Sequence, residues 1–145
     1  MKKFAINFVV SLAGYLVISL FIAIALGLPM MLPNIRSVYA GFHMIVIAGL
    51  YFLLGTLLNP LGKHWKNYLS VCGSFIVALS LLLWNFDSIV AFNTSFAGLG
   101  YLIHHLDIDV FTASIMLTPL PSIFTWLGMV WKSNKLKKKQ AEVTS

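Results

Sequence analysis

Four apolar stretches, each long enough to cross a lipid bilayer, dominate this sequence and leave few residues for a soluble core. A membrane-spanning helix needs about 20 mostly apolar residues. Hydrophobic residues make up 59% of the chain and charged residues only 10%, whereas a soluble domain carries about 25% charged residues. The sequence therefore predicts an all-α integral membrane protein, a four-helix bundle with spans at residues 4–28, 38–58, 68–86 and 110–131.

The first stretch resembles a secretory signal peptide only at its start, where Lys2 and Lys3 precede the apolar residues. Its apolar part is far longer than the core of a signal peptide, which covers about 7–15 residues, and further apolar stretches follow. Pro29 and Pro33 mark its end, because proline cannot continue a helix. We therefore expect a retained first span.

All but one of the ten basic residues lie on one side of the predicted membrane. With the N-terminus inside, all nine lysines fall on the inner side and Arg36 alone on the outer side. Cytoplasmic loops of membrane proteins carry such an excess of Lys and Arg. The pattern predicts a multi-pass protein of the cell membrane with both termini cytoplasmic, and the short loops suggest a bacterial one. The net charge of +6 then reflects topology, and no nucleic-acid partner is expected.

Residues 88–106 are also apolar, but a fifth span there would place the basic tail outside. Their large apolar side chains recur every three or four residues, which is the pattern of one helix face. We expect an amphipathic helix on the outer surface, and Gly98 and Gly100 keep a re-entrant loop open as the alternative. The stripe consists of Ile89, Phe92, Phe96, Leu99, Ile103 and Leu106.

Small residues recur at four-residue spacing within the spans, which permits close helix packing in lipid. We expect them to form helix–helix seams, and the alternative is that their hydroxyls line a polar path. No Asp, Glu, Lys or Arg lies near the middle of any span, which argues against a proton-driven pump. The small residues are Ala23 and Gly27, then Ser70, Ser74 and Ala78, and then Ser114, Thr118 and Ser122.

The fourth span and the tail behind it carry two further features. Pro119 and Pro121 each remove an amide donor and predict a kink, and broken helices build binding sites in many transporters. Residues 132–145 form a basic cytoplasmic tail that is expected to contact anionic lipid headgroups. The lysines concerned are Lys132, Lys135, Lys137, Lys138 and Lys139.

His104, His105, Asp107 and Asp109 form the one cluster with metal-binding chemistry, on the outer side before span four. Imidazole and carboxylate together suit zinc or another divalent metal. The competing interpretation is that the aspartates stabilise the start of span four and the histidines the end of the surface helix. The cluster matches no metal motif such as H-E-x-x-H, and no cofactor is expected.

Three functions fit this sequence. The first is a non-enzymatic accessory or interaction subunit, with a membrane-protein partner or a second copy of the chain. The second is a small oligomeric carrier or pore for a small solute or lipid, suggested by the kink and the hydroxyl stripe. The third is a metal-binding membrane protein that uses the outer His and Asp cluster.

Overall fold

The computed structural model describes residues 1–27, 36–84 and 110–144, and this part of the chain is helical. The predicted all-α class is therefore confirmed, while the predicted surface helix at 88–106 lies outside the described residues. The helices are, in order, α1 (Lys2–Gly27), α2 (Arg36–Leu57), α3 (His64–Val71), α4 (Gly73–Trp84), α5 (Val110–Leu117) and α6 (Leu120–Thr144).

Helices α1 and α2 closely match the first two predicted spans, and among the described helices only α1 is long and apolar enough to cross a membrane. The qualifying part of α1 is Lys2–Ile22, and a shorter apolar helix covers Met44–Leu57. An apolar helix near an N-terminus is either a membrane span or a signal sequence. By this criterion the described helices indicate membrane association through α1.

The third predicted span, 68–86, is interrupted in the structure. α3 begins at His64, and a tight turn at Cys72 separates it from α4. The Cys72 amide donates to the Leu69 carbonyl, three residues back instead of four. Serine hydroxyls compete for helix carbonyls here: Ser70 Oγ donates to Asn67 and Ser74 Oγ to Val71. Such back-bonding loosens a helix and explains the interruption.

The fourth predicted span, 110–131, is also two helices. α5 ends at Leu117 and α6 begins at Leu120, so the interruption falls at Thr118 and Pro119, where the kink is predicted. Pro119 has no amide hydrogen, which removes one helix bond. The Ile123 amide donates to the Pro119 carbonyl, which starts the hydrogen bonding of α6.

The helices pack into a bundle with two apolar clusters. α6 packs most extensively on α2, and α1 packs on α2, α3 and α4. One cluster lies between α1, α2 and α4, and the other joins the C-terminal ends of α2 and α3 to α6. The first contains Tyr15, Ile22, Ile47, Tyr51 and Ala78, and the second Leu58, Val71 and Met129.

Candidate functional site

The buried face of α1 carries three polar side chains beside Tyr15 and Ile22, although α1 is the most apolar long helix. Asn7, Ser11 and Ser19 are each no more than 2% exposed. They recur every four or eight residues, which places them on one side of the helix. The large apolar side chains on the remaining surface, such as Val17 and Leu20, are exposed. The helix therefore turns its polar stripe toward the bundle.

Helices α3, α4 and α6, and the turn between α5 and α6, contribute polar side chains to the same interior. We call the buried polar side chains of the bundle the polar seam. Four of the residues predicted at helix contacts belong to it: Ser70, Ser74, Thr118 and Ser122. The polar seam consists of Asn7, Ser11, Ser19, Asn67, Ser70, Ser74, Thr118, Ser122, Thr125 and Ser133.

The centre of the polar seam is the carbonyl oxygen of Val71, at the interruption between α3 and α4. Ser11 Oγ of α1 and Ser122 Oγ of α6 each donate to it over 3.2 Å. Ser74 Oγ of α4 lies 3.3 Å from the same oxygen and 2.8 Å from Ser122 Oγ. One carbonyl and three hydroxyls therefore join α1, α3, α4 and α6.

A second polar site fixes the loop between α2 and α3. The Asn7 side chain clamps the backbone of Asn59: its Nδ2 donates to the Asn59 carbonyl over 2.8 Å, and its Oδ1 accepts from the Asn59 amide over 3.1 Å. Asn67 Oδ1 accepts from the Leu61 amide over 2.7 Å. Gly62 follows with a positive φ of 82°, a conformation that glycine adopts without a steric cost.

Helix α6 holds the same loop from the other side. Lys132 Nζ donates to the Leu58 carbonyl over 2.7 Å, where a cation is favourable because it lies at the negative end of α2. Trp126 Nε1 donates to the His64 carbonyl over 3.3 Å. The loop is thus fixed by side chains from α1, α3 and α6.

We expect Asn7→Leu to destabilise the bundle, since it leaves the Asn59 amide and carbonyl without the two bonds that Asn7 supplies. A hydrogen bond contributes about 0.5–1.5 kcal/mol to stability, so losing both costs about 1–3 kcal/mol. The free energy of unfolding in detergent, followed by tryptophan fluorescence, measures the loss. Ile6→Leu is the matched control, because Ile6 is exposed on the same turn. Equal stability of the two variants would contradict the clamp.

Helices α2 and α6 cross at a pair of glycines. A Cβ atom added to Gly55 would overlap the Thr125 carbonyl oxygen, and one added to Gly128 would overlap the Phe52 carbonyl oxygen. Each glycine therefore lies directly against the backbone of the other helix. Glycine contacts of this kind let two helix backbones approach closely, which is a major source of association energy in lipid.

The buried Tyr15 hydroxyl is the one polar side-chain atom that departs from this pattern. The Tyr15 ring stacks on Tyr51, with ring centroids 6.3 Å apart, and Tyr51 Oη lies 3.4 Å from Ser19 Oγ. The Tyr15 hydroxyl itself is buried without a hydrogen-bond partner among the described residues.

The predicted metal ligands His104, His105, Asp107 and Asp109 lie outside the described residues, so the outer cluster stays a prediction. Within the described ranges, no three His, Cys, Asp or Glu side chains are close enough to share a metal ion.

The structure describes both the predicted kink and the basic tail. Pro119 lies at the interruption between α5 and α6, and Pro121 lies buried in the first turn of α6. The tail continues α6 as a helix to Thr144. Lys132 turns inward to Leu58, whereas Lys135 Nζ lies 5.0 Å from the centroid of the Trp131 ring.

Two features of the site were missed from sequence. Asn7, Asn67 and Lys132 hold the loop between α2 and α3, and Gly55 and Gly128 form the α2–α6 crossing. The sequence does carry a signal for Asn7, since a polar amide inside an apolar stretch needs a hydrogen-bond partner.

Comparison with known protein families, with curated proteins and with solved structures finds no match for this chain. The chemistry of the site must therefore be inferred from its own residues. The hydroxyls around Val71 and the side-chain amides at the loop between α2 and α3 form hydrogen bonds with one another or with the backbone. Such groups hold helices and loops in register, and they lack the titratable pair that general acid–base catalysis uses.

Proposed function

We propose that this protein is a four-span integral membrane protein with both termini cytoplasmic, which acts as a non-enzymatic interaction subunit in the cell membrane. The observation that carries the membrane part is the distribution of polarity. The bundle buries the polar seam and exposes large apolar side chains on every described helix. Water favours the opposite arrangement, whereas lipid leaves helices to associate through close packing and interhelical hydrogen bonds.

The accessibility of α1 supports the same proposal. Only 28% of its most apolar 18-residue window is buried. A core helix of a soluble protein would be buried over most of its surface, because the hydrophobic effect drives apolar area out of water. The exposed side of α1 is then the part that meets lipid or another membrane protein.

Tryptophans and lysines mark where the inner interface would lie. Trp65 and Trp131 are exposed, with Lys66 Nζ 5.5 Å from the Trp65 ring and Lys135 Nζ 5.0 Å from the Trp131 ring. Tryptophan is enriched at membrane interfaces, and basic residues are enriched on the cytoplasmic side. We assign headgroup contact to Lys66 and Lys135, because Lys132 is already bonded to Leu58.

The interaction role rests on the bonding within the polar seam. Ser11, Ser74 and Ser122 bond to Val71 or to each other. Hydroxyls that bond in this way act as contacts between helices and line no open path. The exposed surface of the bundle is then where recognition takes place.

The test is purification of the full chain at native expression level in mild detergent, with mass spectrometry of copurifying proteins. We expect a stoichiometric membrane-protein partner. Fusions to a fluorescent protein after Ser145 and to a periplasmic phosphatase after Asn34 test the topology, and both should be active. Purified chain without a partner, or an inactive C-terminal fusion, would overturn the interaction role or the orientation respectively.

A carrier is the second candidate, and the broken helices favour it. The interruptions at Cys72 and at Pro119 lie in packed helices that Ser74 and Ser122 join directly, and broken helices form binding sites in transporters. Flux of small solutes or lipids through liposomes holding only this chain would establish the carrier and displace the interaction role.

A further inference from the structure

Two breaks in the helices of the bundle meet at one point. The first break separates α3 from α4, and the second separates α5 from α6. Ser122, in the first turn of α6, donates to the Val71 carbonyl over 3.2 Å and lies 2.8 Å from Ser74, in the first turn of α4. The two breaks therefore lie at the same level of the bundle. We call Val71, Ser74 and Ser122 the junction.

The part of the bundle between the junction and the α2–α3 loop is held by directional contacts, and we call it the loop-side half. The Asn7 side chain bonds twice to the backbone of Asn59, and Lys132 of α6 bonds to the end of α2. Gly55 and Gly128 bring the backbones of α2 and α6 into direct contact. These contacts fix the positions of the helices, because a hydrogen bond weakens steeply when its distance or angle changes.

The part beyond the junction, where α4 and α5 pack on α1 and α2, is held by apolar contacts, and we call it the far half. Among residues 75–80 of α4, only Ala78 is buried. Ala78 belongs to the apolar cluster around Tyr15, and Leu117 of α5 lies partly buried against the same cluster. Apolar contacts have no preferred direction, and lipid tails can replace them at little cost. Within the described residues, α4 and α5 are thus held less firmly than α3 and α6.

The hydrogen bonds of the junction resist separation of the helices but permit rotation about it. The hydroxyls of Ser11, Ser74 and Ser122 all lie within 3.3 Å of one atom, the Val71 carbonyl oxygen. Bonds that converge on one atom keep their lengths when a helix turns about that atom. The ends of helices are also where hinges occur, because a few residues there absorb the change in backbone torsion angles.

We propose that α4 and α5 swing about the junction against a fixed frame of α1, α2, α3 and α6. Ser80 lies about 12 Å along α4 from Cys72, at a rise of about 1.5 Å per residue. A swing of about 20°, the size of a sharp helix kink, moves Ser80 by about 4 Å. The swing changes the shape of the far half and leaves the α2–α3 loop in place. A partner or ligand that binds one position more tightly shifts the equilibrium toward it.

The inference goes beyond the proposed function and holds for either orientation of the chain in the membrane. Its test measures distances between pairs of spin labels by pulsed electron paramagnetic resonance, on the full chain in lipid nanodiscs. Cys72 is the one native cysteine, so Cys72→Ser is made first and only introduced cysteines carry labels.

Two label pairs compare the two halves of the bundle. Ile45→Cys with Ser80→Cys joins α2 to α4 in the far half. Leu57→Cys with Leu69→Cys joins α2 to α3 in the loop-side half and is the matched control. All four side chains are exposed, so the labels leave the packing between the helices intact.

We expect the far pair to give a distance distribution broader than that of the control pair by about 4 Å, the displacement that a swing of about 20° produces. Two resolved distances for the far pair would support the swing equally. Equal narrow distributions would mean that α4 is fixed and would overturn the proposal. Broad distributions for both pairs would also overturn it, because α3 would then be no part of a fixed frame.

A third pair tests whether α5 pivots at the break beside Pro119. Ile45→Cys with Ile115→Cys joins α2 to α5 at exposed positions, and we expect a broad distribution. Pro119→Ala/Pro121→Ala restores two amide donors and allows α5 and α6 to form one continuous helix. This change should narrow the distribution to the width of the control pair, and Pro60→Ala in the α2–α3 loop should not change it. An unchanged width in the double variant would overturn the pivot, and the distributions of the unmodified pairs decide the proposal if that variant does not fold.

Discussion

Gly55→Leu and Gly128→Leu are each expected to separate α2 from α6 and leave little folded protein. At both positions the first side-chain atom would overlap a carbonyl oxygen of the facing helix. A backbone atom cannot change rotamer to make room, so the helices must move apart. Overpacking costs typically about 1–3 kcal/mol, and a leucine at a backbone contact should exceed that range. Size-exclusion profiles and thermal unfolding in detergent measure the effect.

Gly49→Leu is the control, because Gly49 also lies in α2 and a Cβ atom there would meet no atom within 4 Å. It makes the same change in the same helix, but on an exposed side. We expect this variant to fold as the parent does. If all three variants behave alike, the crossing of α2 and α6 is not as close as the structure shows.

The sequence predicts the helices well because each depends on local composition. Long apolar stretches form helices in any environment that excludes water, since every backbone group then needs a partner within the segment. The interruption at Pro119 is equally local, because proline lacks an amide hydrogen. These rules predict α1 and α2 close to their observed bounds and place the interruption between α5 and α6, but α6 continues to Thr144, beyond the predicted end of the span at residue 131.

The contacts that define the candidate site depend on which helices meet. Nothing local distinguishes Gly55, which contacts backbone, from Gly49, which is exposed in the same helix. The sequence predicts that Lys132 contacts headgroups with the other tail lysines. In the structure, Lys132 Nζ donates to the Leu58 carbonyl at the end of α2. The interruption at Cys72 was missed for the same reason. Ser70 and Ser74 donate to carbonyls three residues earlier in the chain. Ser11 and Ser122 donate to the Val71 carbonyl from other helices.

In the membrane setting that we propose, hydrogen bonds of the polar seam take the place of the hydrophobic effect, which does not act between helices in lipid. Lipid tails are as apolar as leucine, so apolar contact alone gives helices little reason to associate. The helices of this bundle are joined by the Gly55–Gly128 crossing and by hydroxyl hydrogen bonds among α1, α3, α4 and α6. Both devices exclude bulky side chains from the interior and leave the large apolar ones on the outside.

Ser122→Val is expected to destabilise the bundle by about 2–4 kcal/mol. Ser122 is fully buried and bonds both to the Val71 carbonyl and to Ser74 Oγ. Hydrogen bonds between membrane helices average about 0.6 kcal/mol and reach about 1.7 kcal/mol. The added methyl groups contribute an overpacking cost of about 1–3 kcal/mol. The free energy of unfolding, followed by tryptophan fluorescence in detergent, measures the sum.

Two further variants separate these contributions. Ser122→Ala removes the bonds without adding volume, so its smaller loss reports the hydrogen bonds alone. Ser80→Val makes the original change at an exposed position of α4 and should leave stability unchanged. Because Ser74 and Ser122 bond to each other, Ser74→Ala and Ser122→Ala should be non-additive when combined. If the losses of unfolding free energy from the two single variants simply add, the two hydroxyls act separately. The helix interruptions at Cys72 and Pro119 would then not be coupled through them.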